Sequence, residues 1–265
     1  MPEPSRVTRA DIVRALTAAL EPLPWADAFW EGGSAAFGRA DAWSDLDLYA
    51  VVADDRLGEA FRVVEDALAR LSPVRRRYEP AWPPDSGTAQ AFYRLERASE
   101  YLLVDLAVFK RSAKDKYLEP ELHGQAVFYF NKGGAVTAPP LDRDAFVARL
   151  FDRRDRLRLR VELFGPFVAK ELLRGNGLGA VEAYQRIVLD SLVQVLWMRH
   201  HPAHYAFGLR YAHYELPRET VARLERLAFV AGRDDLEGKC REALDWFRET
   251  VDQVTEEGVR TRMAA

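Results

Sequence analysis

Apolar residues recur with a helical period over residues 8–20, where Ile12, Val13, Leu16 and Leu20 mark one stripe behind Thr8 as the expected N-cap. Glu21-Pro22-Leu23-Pro24 stops that helix. The pattern then shortens. Residues 28–30 form an apolar run closed by Gly32-Gly33, residues 35–37 read as a short helix, and residues 44–52 alternate as a strand. Residues 56–71 carry a second helical stripe, Leu57, Phe61, Val64, Leu68 and Leu71, which ends before Pro73. Residues 74–78 predict a short strand, and residues 80–87, PAWPPDSG, a loop. Residues 89–95 and 100–109 predict two more strands, with Arg97-Ala98-Ser99 near the turn between them. In the second, Leu102, Val104, Leu106 and Val108 alternate with Tyr101, Leu103, Asp105 and Ala107. Both faces are largely apolar, so a central strand is expected, with Asp105 deep in the sheet. Residues 127–130 predict a last strand that ends in a hairpin turn, Asn131-Lys132-Gly133-Gly134.

Past Ala138-Pro139-Pro140 the strand signals stop. Helical periods are expected over residues 142–162, 166–174, 178–200, 218–231 and 236–257. A domain boundary is therefore placed near residue 140, dividing an α+β domain, residues 1–140, from an all-α domain, residues 141–265. The 178–200 segment is apolar around most of its circumference, through Ile187, Val188, Leu192, Val195, Leu196 and Trp197, which fits the centre of a helical bundle.

Composition narrows the function. With 38 basic and 41 acidic residues the net charge is −3, which argues against a general nucleic-acid binder. The single cysteine, Cys240, excludes an internal disulfide and fits a reducing compartment. No apolar signal core opens the sequence and no run is long enough to span a membrane, so a cytoplasmic protein without membrane partners is expected.

The chemistry is concentrated in residues 30–52, WEGGSAAFGRADAWSDLDLYAVV. Paired glycines allow positive φ and close approach of backbone to a ligand, and a helix starting at Ser34 would offer free N–H groups to a phosphate. On a strand, residues i and i+2 share a face at roughly 3.3 Å per residue, so Asp45 and Asp47 point the same way and Leu46 and Leu48 the other. Carboxylates that close repel unless a cation lies between them, and Mg²⁺ takes oxygen ligands while keeping places for substrate phosphates.

Gly33-Ser34, Gly38 and Ser44-Asp45-Leu46-Asp47-Leu48 together resemble the signature of the polymerase-β-type nucleotidyltransferase superfamily: glycine-serine, a short helix, then an aspartate-x-aspartate strand. Many members carry an arginine where this chain has Phe37. The resemblance implies a mixed nucleotidyltransferase-type sheet with flanking helices, two Mg²⁺ ions, an NTP substrate, ATP foremost, and release of pyrophosphate. It further implies that Asp45, Asp47 and Asp105 form the catalytic and metal-binding set, Asp105 completing the second metal or taking the acceptor's proton. Gly33, Ser34 and Ser44 would bind the nucleotide. A looser likeness, carried by Pro202, Tyr205, Phe207 to Tyr211 and Leu216-Pro217, is to the helical domains of aminoglycoside-type nucleotidyltransferases. It implies a small-molecule acceptor between head and tail, Glu182 as a further base candidate, and Lys170 and Arg210 as nucleotide contacts. The alternative is an antitoxin-like or regulatory module of the same fold that modifies or binds a partner protein.

Other features read as structural. Arg153, Arg154, Arg156, Arg158 and Arg160 predict a solvated face paired with Asp152, Asp155 and Glu162 rather than a phosphate patch. Gly175-Asn176-Gly177-Leu178-Gly179 follows a helix, so it reads as a cap and turn, not a nucleotide loop. His200 and His204 have i, i+4 spacing, but Pro202 interrupts them, which argues against zinc. Cys240 reads as a plain helix residue despite basic neighbours. Trp82 suits a base-stacking role or a core edge equally.

Overall fold

The computed structural model describes residues 6–83 and 86–264. Pro84 and Asp85 of the expected 80–87 loop, and the first five residues, lie outside them. The chain divides into two compact units, residues 1–141 and 142–265.

The first unit is built on six strands: β1 (Ala26–Glu31), β2 (Leu46–Val52), β3 (Val74–Tyr78), β4 (Thr88–Leu95), β5 (Val104–Lys110) and β6 (Val127–Asn131). They lie in the order β3-β4-β5-β2-β1-β6. Only β2 and β5 pair in parallel; the other pairings are antiparallel, so the sheet is mixed. Four helices accompany it: α1 (Arg9–Leu20), α2 (Gly33–Ala36), α3 (Leu57–Leu71) and α4 (Pro120–His123). Thr8 caps α1 through a reciprocal box with Asp11.

Strand alternation sorts the sheet into two faces. Leu46, Leu48, Ala50 and Val52 of β2 and Val104, Leu106 and Val108 of β5 pack with Ile12, Leu16 and Leu20 of α1 and Phe61, Val64 and Leu68 of α3. On the opposite face, Trp30, Tyr49 and Phe109 stack as a slab, with ring centroids 5.5 Å apart for Trp30–Tyr49 and 6.0 Å for Tyr49–Phe109. Asp47 and Asp105 occupy that second face, because each alternates with a core residue.

Four expectations are corrected. The strand expected over 100–109 begins only at Val104, because Ser99 draws the chain into a turn that accepts from Leu102 N at 3.1 Å. Asp105 is therefore the second residue of an interior strand and partly exposed, not deep in the sheet. The segment after β6 is not a hairpin. Asn131 Nδ2 donates to Val136 O (2.6 Å) and its Oδ1 accepts from Val136 N (3.1 Å), closing a local loop, and among the described residues no strand returns along β6. The last long helix breaks at Val254, whose backbone is extended, and Thr255 Oγ1 then accepts from Gly258 N.

The second unit is helical: α5 (Arg143–Phe164), α6 (Phe167–Leu173), α7 (Gly177–Ala183), α8 (Asp190–His200), α9 (Ala212–Glu215), α10 (Arg218–Ala228), α11 (Arg233–Gln253) and α12 (Glu256–Ala264). A wider π turn, Tyr184–Leu189, joins α7 to α8, and Tyr184 Oη donates to Leu227 O at 3.0 Å. Ser191 to Met198 are all buried, so α8 runs through the core of this unit. The arginine run on α5 is paired within the helix in Arg156–Asp152 and Arg154–Asp155, as expected, and with other helices in Arg158–Asp252 (α11) and Arg160–Asp190 (α8). Asn176 caps α7 by accepting from Gly179 N, as a turn rather than a nucleotide loop. No helix among the described residues is long and apolar enough to cross a membrane.

Candidate active site

β1 leaves the sheet at Glu31, and Gly32 N donates to Asp47 O at 2.8 Å, so the glycine turn is pinned to the start of β2. Gly33 has φ +52°, a left-handed conformation that side chains rarely adopt. A Cβ built there would lie 1.8 Å from Asp47 Oδ2. Positive φ and lack of a side chain are both needed, because the Asp47 carboxylate stands directly against this backbone. Ser34, in the single turn of α2, has a buried Oγ without a hydrogen-bond partner. Such a hydroxyl normally finds one, which here suits a ligand.

The parallel register places Asp47 beside Asp105. Neighbouring strands lie roughly 4.8 Å apart, so the two carboxylates rise side by side from one face. Asp45 precedes β2 and is exposed. Gln90, on β4, donates from Nε2 to Asp105 Oδ1 at 2.6 Å. The Asp105 carboxyl is pushed up to about 6: burial is the largest cause, the Gln90 hydrogen bond opposes it, and the charges of Asp47 and then Asp45 raise it further. Asp105 thus feels the charge of both other acids. A face of hard oxygen donors, mutually repelling and flanked by an unpartnered hydroxyl, fits a divalent cation such as Mg²⁺.

A second network fixes the strand entry. Arg9 of α1 donates to Ser44 O (2.9 Å) and Asp45 O (2.7 Å) and pairs with Glu31 at the end of β1. Tyr129 of β6 donates its hydroxyl to the other Glu31 oxygen. Burial, followed by that contact with Glu31, pushes the Tyr129 hydroxyl upward. Arg9 therefore anchors the backbone of Asp45 to three other elements.

The remaining expected site residues are placed as follows. Ser44 Oγ donates to Asp41 Oδ1 at 2.8 Å, inside the loop before β2. Arg39 lies over the Phe37 ring, 5.3 Å from its centroid. Lys170, Glu182 and Arg210 belong to the second unit and are exposed. There Lys170 Nζ sits 4.1 Å over the Phe167 ring, Glu182 pairs with Arg186 at 3.5 Å, and Arg210 N donates to Phe207 O. Cys240 is buried, and burial pushes its thiol up to about 11, opposite to activation by basic neighbours. Trp82 borders a cavity with Lys110, Lys114 and Tyr117, and its Nε1 is buried without a partner.

Gln90, Arg9, Glu31 and Tyr129 were not legible as site residues. Their signal is register and tertiary contact, neither of which a single sequence carries.

No family model and no curated protein matches the chain. Among solved structures, the chain is similar to an aminoglycoside 6-adenyltransferase from Bacillus subtilis, with 15% identity over 95% of this chain and 90% of that one and a TM-score of 0.38. It is also similar to a spectinomycin adenyltransferase from Enterococcus faecialis, determined with ATP and spectinomycin, with 11% identity over 97% and 98% of the two chains and a TM-score of 0.34.

Proposed function

We propose that the protein is a Mg²⁺-dependent nucleotidyltransferase that moves a nucleoside monophosphate from an NTP to a hydroxyl of a small-molecule acceptor and releases pyrophosphate. The observation that carries this reading is the Gly33 turn fitted against Asp47, with Asp105 in register beside it. Asp45 and Asp47 would hold the metal, with Asp105 at the shared edge. Bound there, Mg²⁺ offsets charge on the triphosphate and orients it. Gly33 N–H and the Ser34 hydroxyl receive phosphate oxygens. Asp105, whose carboxyl burial pushes up to about 6, accepts the proton of the attacking hydroxyl, and Gln90 holds it in place. The hydroxyl oxygen forms its bond to the α-phosphorus as the bond to the pyrophosphate oxygen breaks.

The acceptor class follows the sequence likeness to aminoglycoside-type enzymes, and a polycation of that kind suits a chain with net charge −3. Pyrophosphate release is measured with each NTP, Mg²⁺ and a panel of aminoglycosides, for the wild type and D45N. Release that needs both acceptor and Asp45 supports the proposal. Silence with every small acceptor, together with co-purification of a protein, supports the partner-protein reading instead.

A further inference from the structure

We propose a second metal site, for a first-row transition ion such as Zn²⁺, in the helical unit at His201, His204 and Glu215. It rests on none of the residues used for nucleotidyl transfer. The three side chains offer ligand atoms that all lie within 4.8 Å of one another. Glu215 Oε2 is 2.5 Å from His204 Nδ1 and 3.8 Å from His201 Nδ1. A tetrahedral ion with bonds near 2.0–2.1 Å separates its ligands by about 3.4 Å, so the two observed separations bracket the required one. Opening one contact and closing the other, each by less than 1 Å, would form three sides of a coordination shell.

The surroundings also suit an ion. The Glu215 side chain is 3% exposed, so its charge lies almost wholly out of water and faces both imidazoles. Two imidazoles and a carboxylate form a ligand set that borderline-soft Zn²⁺ accepts and that hard Mg²⁺ does not prefer. The imidazole rings of His201 and His204 lie 5.3 Å apart with planes 7° from parallel, and each turns Nδ1 toward Glu215 Oε2. Trp197 and Phe207 wall the site and Trp197 Nε1 holds Gly208 O at 2.6 Å, which fixes the intervening loop. His201 is 49% exposed, giving an entry path and a position for water as the fourth ligand. Binding through Nδ1 of His204 displaces the proton in its contact with Glu215, to Nε2 or to solvent. The ligands come from the segment between α8 and α10, with Glu215 at the end of α9, so the ion would clamp that segment. Pro202 does not prevent this: it turns the chain so that His201, rather than His200, joins His204.

The full-length protein is loaded with Zn²⁺, passed through gel filtration, and its metal measured by mass spectrometry; Co²⁺ loading is followed by visible absorption. One equivalent of Zn²⁺, tetrahedral Co²⁺ bands without a thiolate charge-transfer band, and a Tm several degrees higher at ~100 times Kd are expected. H201A, which alters an exposed side chain, lowers affinity at least tenfold, and E215Q removes binding. Should E215Q fail to fold, H201A alone decides. No retained ion in the wild type, a thiolate band implicating Cys240, or equal retention in H201A overturns the proposal. Mg²⁺-dependent pyrophosphate release is scored separately, so either claim fails without the other.

Discussion

Asp105→Asn should stabilise the metal-free protein, and only above the acid range. The Asp105 carboxyl rises from an ordinary 3.8 to about 6 in the folded chain, chiefly through burial. At ~1.36 kcal/mol per pH unit this corresponds to ~3 kcal/mol. Because the side chain is only partly buried, solvent screening reduces the expected value to about 1–2 kcal/mol. The folded state holds the proton more tightly than the unfolded one. Below pH 3.8 the carboxyl is therefore neutral in both states and costs nothing; the penalty grows as pH rises and is complete once pH has passed about 6. Asparagine keeps an oxygen for Gln90 Nε2 and never ionises.

The gap between D105N and wild type should thus be near zero at pH 3.5 and about 1–2 kcal/mol at pH 7.5. Urea unfolding in EDTA, followed by fluorescence and circular dichroism, measures it. Added Mg²⁺ should stabilise wild type more than D105N and narrow the gap, by RT ln(1 + [Mg²⁺]/Kd). A gap that does not change with pH, or a variant less stable than wild type at pH 7.5, would refute the electrostatic account. In catalysis the same substitution should lower kcat by ~10²–10⁴-fold.

Gly33→Ala should lose pyrophosphate release almost entirely and cost about 1–3 kcal/mol in urea unfolding, since its Cβ would meet Asp47 Oδ2 at 1.8 Å in a left-handed backbone. Gln90→Leu keeps the volume but drops the donor to Asp105, so kcat should fall ~10–100-fold with KM for NTP nearly unchanged; equal kinetics in a steady-state assay would remove Gln90 from the site. Glu242 is held down to about 2 by its hydrogen bonds to Arg226 and then Arg223. Its contribution is present above an ordinary 4.5 and lost as pH falls through about 2, so E242Q should cost about 1 kcal/mol at pH 7 and nothing near pH 2 in chemical denaturation.

The legible parts of the site are those that depend on local geometry. Gly33 and Asp47 could be read because a glycine turn and a two-residue face rule act within a few positions of one another. The start of β5 could not, because the apolar run through Tyr101 and Leu102 carries a strand pattern while Ser99 bends the chain before it. Gln90 sits in a strand whose pattern does not distinguish a site amide from a surface one; only its pairing opposite Ala107 brings it to Asp105. Glu215 lies eleven residues beyond His204, past a turn whose direction no local rule supplies, and so the histidine cluster lacked its third member. The arginine run was readable only for the partners on its own helix, Asp152 and Asp155; Asp252 and Asp190 come from α11 and α8, which no local spacing supplies.

The sheet face explains why the acids tolerate one another. Phe92, Asp105 and Asp47 form one row across β4, β5 and β2, while Gln90, Ala107, Tyr49 and Trp30 form the next. The aromatic row seals the interior end of the face with stacked rings and leaves the acidic row at the N-terminal ends of two parallel strands, where the side chains reach solvent. Were Asp47 and Asp105 one row further in, both carboxylates would be buried and no cation could enter hydrated. Were they one row out, the Asp47 carboxylate would no longer stand against the Gly33 backbone. One pleat of displacement, roughly 7 Å, is thus the margin within which the fold keeps these carboxylates both repelling and accessible, and that combination is what recruits a divalent ion.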